Sequence, residues 1–66
     1  MKAITKLVKD YCEKKGTNNY LLEKQAGLGN GVIGTWETST PSTASLKKLS
    51  VATKIPLTKL IKAVEE

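Results

Sequence analysis

A chain of 66 residues with one cysteine, Cys12, and no histidine has nothing to staple it. A disulfide needs two thiols and a zinc site needs several Cys or His ligands, so any core must come from apolar side chains alone. The same absence removes Ser–His and Cys–His catalysis. Carboxylate or lysine chemistry stays open on composition, but a core this small leaves little room for a dry pocket. The expectation is a single domain over 1–66 that binds something, without catalytic residues, metal or cofactor.

The apolar positions then decide the architecture. Ile4, Leu7, Val8, Tyr11 and Cys12 fall at helical spacing and form one stripe. Lys14, Lys15 and Gly16 are suited to that helix's C-terminal end, and Cys12 lies on the stripe as a small core residue. Asn18 is the best N-cap for a second helix over about 19–26 that buries Leu22 and Ala26, with Leu21 or Tyr20 partly covered. Gly27 ends it, and Leu28 is an apolar plug in a tight turn. A third helical stretch is predicted over about 30–37. In TSTPSTAS, Pro41 halts one element and Ser42 caps a fourth helix carrying Leu46, Leu49 and Ala52 inward. After Ile55 and Pro56, a last helix over about 57–64 buries Leu57, Leu60, Ile61 and Val64. No strand, repeat or linker is evident. The fold class is all-α, five short helices around one core.

The formal net charge is +5, from eleven lysines and no arginine against six acids. That excess suits an anionic partner, though it also serves solubility. No apolar run approaches the ~20 residues of a membrane span, and the N-terminus lacks a signal-peptide core. A cytoplasmic protein of bacterial or phage type is expected. Membrane-surface binding by the first helix is disfavoured, because its lysines are dispersed and its apolar stripe is needed for the core.

GLGNGVIG, residues 27–34, holds four of the five glycines. Gly29, Gly31 and Gly34 spell G-x-G-x-x-G, but a dinucleotide loop needs a strand before it and an acid about twenty residues beyond. NNYLLEKQAGL precedes it with a polar, helical pattern, and Lys54 has the wrong charge. Wound as a helix at about 100° per residue, the segment turns Ile33 and Trp36 inward. Gly31, Gly34, Thr35 and Thr38 then crowd the other face, with Asn30 and Val32 on its flanks. That face carries almost no bulk and no charge. Two helical glycines would cost about 2 kcal/mol. Either something approaches this backbone closely, or Gly31 merely lies near the helix start and Gly34 is tolerated.

A short helix, a glycine-centred turn and a second helix with inward Ile and Trp form the layout of a helix-turn-helix. From about residue 4 to 64 the sequence resembles the lambda-repressor-like DNA-binding domains of the Cro/xenobiotic-response-element type. Asn19 stands where that family usually opens its second helix with Gln. Leu22 matches the buried Leu, Gly27 the turn glycine and Leu28 the apolar turn residue. Ile33, Trp36 and Glu37 match I-x-x-W-E, and PSTASLKKLSVATKIPLTKL is similar to P-S-x-x-x-L-x-K-L-A-x-A-x-x-V-x-L-x-x-L.

The resemblance implies a sequence-specific regulator of transcription, a repressor above all, with the helix around 30–37 in the major groove of double-stranded DNA. Asn30, Gly31 and Thr35 would take the base-reading positions, with Val32 and Gly34 beside them. Phosphates would be held by Asn19, by Thr38, Ser39 and Thr40, and by Ser42 and Thr43. A homodimer through the last helix, at Val64 or Leu57, would supply two half-sites. Two departures stand out. Glu23 occupies a position where relatives often carry a small residue, so its carboxylate must find water or a partner. The recognition segment also has no basic residue, whereas relatives commonly place Ser, Arg, Lys or Gln there. The rival reading is a protein-interaction module of the same fold, an antitoxin or anti-repressor component with little base readout.

Overall fold

The computed structural model describes residues 2–65. Its helices are α1 (Ala3–Lys15), α2 (Asn19–Ala26), α3 (Val32–Thr35), α4 (Thr43–Thr53) and α5 (Leu57–Glu65). No strand occurs among the described residues. The radius of gyration is 10.4 Å, against about 10.8 Å for a folded chain of this length.

On α1 the stripe is buried at Ile4, Val8 and Cys12, with Leu7 and Tyr11 packed partly exposed at its edge. Gly16 closes the helix in the left-handed region. The Asn18 side chain caps α2, accepting from the Leu21 N–H at 2.9 Å. Gly27 stops α2 at φ 75°, and the Leu28 N–H returns to the Glu23 carbonyl at 2.8 Å, the bond pattern of a glycine-closed helix. Leu28 then packs against the core as the expected plug.

The third helix departs from the sequence-based expectation. Residues 30–37 are not one helix: α3 is a single turn, Val32–Thr35. Gly31 precedes it at φ 82°, where a side chain costs about 1–2 kcal/mol. Gly31 is therefore a turn residue that favours the fold, not a helical residue that weakens it. The other end is closed by competition for one carbonyl. The Thr35 oxygen accepts from the N–H groups of Thr38 (3.1 Å) and Ser39 (2.9 Å), and from both their hydroxyls, at 3.2 and 2.9 Å. Local Thr and Ser donors of this kind divert the chain from a helix. Asn30 thus lies before α3 and Thr38 after it. Ile33 and Trp36 nevertheless point inward as expected, each 2 % exposed.

Ser42 caps α4, accepting from the Ser45 N–H at 3.2 Å. Leu46 and Leu49 are buried, whereas Ala52 is only half-buried and the deeper residue is Thr53. Its hydroxyl donates to the Leu49 carbonyl at 2.8 Å and accepts from the Ile55 N–H at 3.2 Å, which makes its burial affordable. Lys54 then turns the chain at φ 62°. On α5, Leu60 and Ala63 face the core. Leu57, Ile61 and Val64 are half-buried and recur at helical spacing along one flank, with Lys59 and Lys62 on the other. α1 packs on α2 and α5, and α4 on α2 and α5, so the four longer helices form a ring around Trp36, Leu22, Leu49 and Leu60. Each such side chain contributes about 1.5–3 kcal/mol on burial.

Candidate nucleic-acid interface

Glu23 determines how α3 is presented. It projects from α2 into the interior, 3 % exposed, a position unusual for a carboxylate unless it is paired. One oxygen accepts from the Gly31 N–H at 3.0 Å and the other from the Ile33 N–H at 2.9 Å. These are N–H groups that the start of a helix leaves without intrahelical partners. Gly31, having no side-chain acceptor, makes no side-chain cap of its own. The carboxylate eight residues back performs that task across the turn. The Glu23 carboxylate is therefore the clamp that fixes α3 to α2.

The base-reading candidates occupy different settings. Asn30, Gly34 and Thr35 are exposed, and so is Gly31, but its N–H is committed inward to Glu23. Val32 is half-buried against the core, and a side chain at Gly29 would stand 3.0 Å from its methyl. Gly29 thus has an internal neighbour that leaves little room for a side chain. At Gly34 the space is open, with nothing within 4 Å of where a Cβ would lie. The Thr35 hydroxyl donates to the Val32 carbonyl at 2.6 Å, so its lone pairs are what it offers outward.

The phosphate candidates divide likewise. Asn19 and Gly34 border one groove of about 650 Å³ with Lys9, Tyr20 and Glu37, so the structure brings these two expected contacts together. Within it the Asn19 oxygen faces the Cys12 thiol at 3.8 Å, leaving the amide nitrogen for an outside acceptor. Thr38 and Ser39 are exposed, but their hydroxyls are turned onto the Thr35 carbonyl. Thr40 borders a separate pocket with Trp36, Pro41 and Val64. Ser42 is occupied in capping and donates to the Ser45 hydroxyl at 3.0 Å. Thr43 is exposed at the start of α4.

Two cations beside the turn that precedes α3 were not evident from its own sequence. Lys24 extends over the Tyr20 ring at 5.4 Å, a cation–π distance, and both residues border a small depression with Asn30. Their i, i+4 spacing on α2 was the available signal. Lys48, from α4, places its ammonium 3.5 Å from the Gly27 carbonyl, a long contact that sets a positive charge by the turn. Glu37, just past α3, reaches the other way. Its carboxylate accepts from the Lys2 N–H at 3.1 Å and from the Thr5 hydroxyl at 2.9 Å, whose one proton is shared with the Lys2 carbonyl at 2.8 Å. The Lys2 N–H first, then the Thr5 hydroxyl, hold its carboxyl below the usual range. A Glu37 engaged in this way ties the residues after α3 to the start of α1. No helix of the described residues is long and apolar enough to cross a membrane.

Comparison with protein-family models, with curated proteins and with solved structures finds no match to this chain.

Proposed function

We propose that this protein is a sequence-specific DNA-binding regulator of transcription, a repressor of the lambda-repressor-like type acting in the cytoplasm of a bacterial cell. It would place the segment around 30–37 in the major groove. The observation that carries this reading is the open face at Gly34. Ile33 and Trp36 are anchored in the core while Gly34 and Thr35 of α3, and Asn30 just before it, are exposed without bulk. A backbone so thinly covered can sit deep against base edges, where Asn30 suits the paired donor and acceptor of an adenine. Asn19 and Thr43 are best placed for phosphates, with Lys24 and Lys48 adding charge. With about three to five phosphates per subunit the salt slope would be about −3 to −5. A dimer through the Leu57–Ile61–Val64 flank of α5 would supply two half-sites.

Selection from random duplexes, followed by gel shift, tests this. A preferred half-site should emerge, and Asn30→Ala should weaken it by about 1–3 kcal/mol with relaxed preference at one position. Gly34→Ala should weaken binding while leaving the fold intact, since no neighbour obstructs the methyl. Absence of any preferred sequence would refute base reading.

One observation favours the rival, a protein-interaction module of antitoxin or anti-repressor type. The hydroxyl protons of Thr35, Thr38 and Ser39 are all spent on backbone carbonyls, and no lysine lies within 30–37. Under that reading a protein partner covers Gly34 and duplex DNA is bound without sequence preference.

A further inference from the structure

Five of the chain's eleven lysines line a furrow away from α3. α1 and α5 pack side by side, and the furrow between them has a volume of about 730 Å³. Lys6, Lys14 and Lys15 border it from α1, Lys59 and Lys62 from α5, and Asp10 is the one acid lining it among the described residues. No residue of α2 or α3 takes part. The floor is apolar, formed by Leu7, Tyr11 and Ile55, each packed on the core from beneath but only partly buried.

We infer that this furrow is a docking site for an acidic amphipathic helix of a partner protein, its apolar side chains seated on Leu7, Tyr11 and Ile55 and its carboxylates facing the flanking lysines. Charge complementarity selects that occupant. Five cations against one carboxylate repel a second copy of the same furrow and attract an acidic segment. The floor selects further, because phosphodiester carries no apolar group to cover it and a duplex is too broad to enter between two adjacent helices. A helix laid along the furrow meets both demands: apolar anchors at i, i+3, i+4 and i+7 descend to the floor while flanking Glu or Asp reach the rim. Lysine stems can cover apolar surface while their ammonium groups stay in water, so lysine borders suit an apolar floor. The docking surface is distinct from the proposed DNA face, so the two engagements are compatible in one protein.

The test uses the isotope-labelled full chain and a synthetic helical peptide with Leu at those four repeat positions and Glu elsewhere. Amide shifts should move at Leu7, Tyr11 and Ile55 and remain still at Gly34 and Thr35. Lys59→Glu combined with Lys62→Glu, both on exposed positions, should weaken binding by about tenfold without changing the melting temperature by more than a few degrees. A peptide with Lys replacing only the Glu on its α5-facing edge should recover affinity for that variant. The proposal is overturned if the shifts map to α3, or if a peptide of the same composition with scattered Leu binds equally well. It is overturned equally if random duplex DNA or anionic phospholipid vesicles move the furrow amides and the acidic peptide does not.

Discussion

Glu23→Ala removes the acceptor of two backbone N–H groups, those of Gly31 at 3.0 Å and Ile33 at 2.9 Å. The two losses are unequal. Ile33 is buried, so its N–H meets no water, whereas Gly31 is exposed and its N–H is rehydrated. A buried donor left alone costs about 1–3 kcal/mol, and an exchanged exposed bond about 0.5–1.5. With the void left by the missing atoms, the total is about 2–5 kcal/mol. A domain of 66 residues has about 3–10 kcal/mol in all, so the variant stands near the edge of folding. At about 4–8 °C per kcal/mol, its midpoint should fall by about 8–40 °C. Glu23→Gln keeps the shape and one accepting oxygen but turns an NH2 toward a donor, and should lose about 1–2.5 kcal/mol. Thermal melts followed by circular dichroism measure the totals, and hydrogen exchange at the Ile33 amide locates the damage. Lys24→Ala, next in sequence but exposed, should move stability by no more than about 0.5 kcal/mol. A Glu23→Ala protein melting within about 3 °C of the parent, with its Ile33 amide equally protected, would refute the clamp.

Gly31→Ala should destabilise by about 1–2 kcal/mol through its left-handed backbone, while Gly34→Ala, in the helix itself, should stabilise by up to about 1 kcal/mol; urea titration of the pair distinguishes their roles. Glu37→Gln should lower stability at neutral pH. The folded carboxyl titrates below its unfolded value of about 4.3, so its contribution is present above that pH and is lost as pH falls through the folded value; melts of parent and variant should therefore converge in acid. Burial pushes the Cys12 thiol up, so a thiol reagent should label it slowly at neutral pH and rapidly once denaturant is added; rapid labelling of the native protein would refute its place in the core.

The helix ends were legible where the signal is local. Asn18, Ser42, Gly16 and Gly27 all act as the caps their residue types suggest, because a cap needs only its neighbours within three or four positions. The stripe of α1 and the inward pair Ile33 and Trp36 were legible for the same reason. What failed was the conformation of Gly31, since glycine enters the left-handed region and the helix almost equally well and the inward pair fixes direction but not length. Thr38 and Ser39 end α3 by a contest for one carbonyl that no periodicity reveals. The partner of Glu23 lies across a turn, and so is a property of tertiary structure. The turn at Lys54 had no signal, because lysine has no preference for positive φ.

The carboxylate at residue 23 also limits how this protein can be re-engineered. Exchange of residues 29–36 between scaffolds treats that stretch as a cassette, complete in itself. Here the cassette's first amides are anchored by a side chain six positions outside it, and a recipient with alanine at the equivalent site would accept the letters without the posture. Any transplant that preserves the segment's backbone posture has to carry the acid with it.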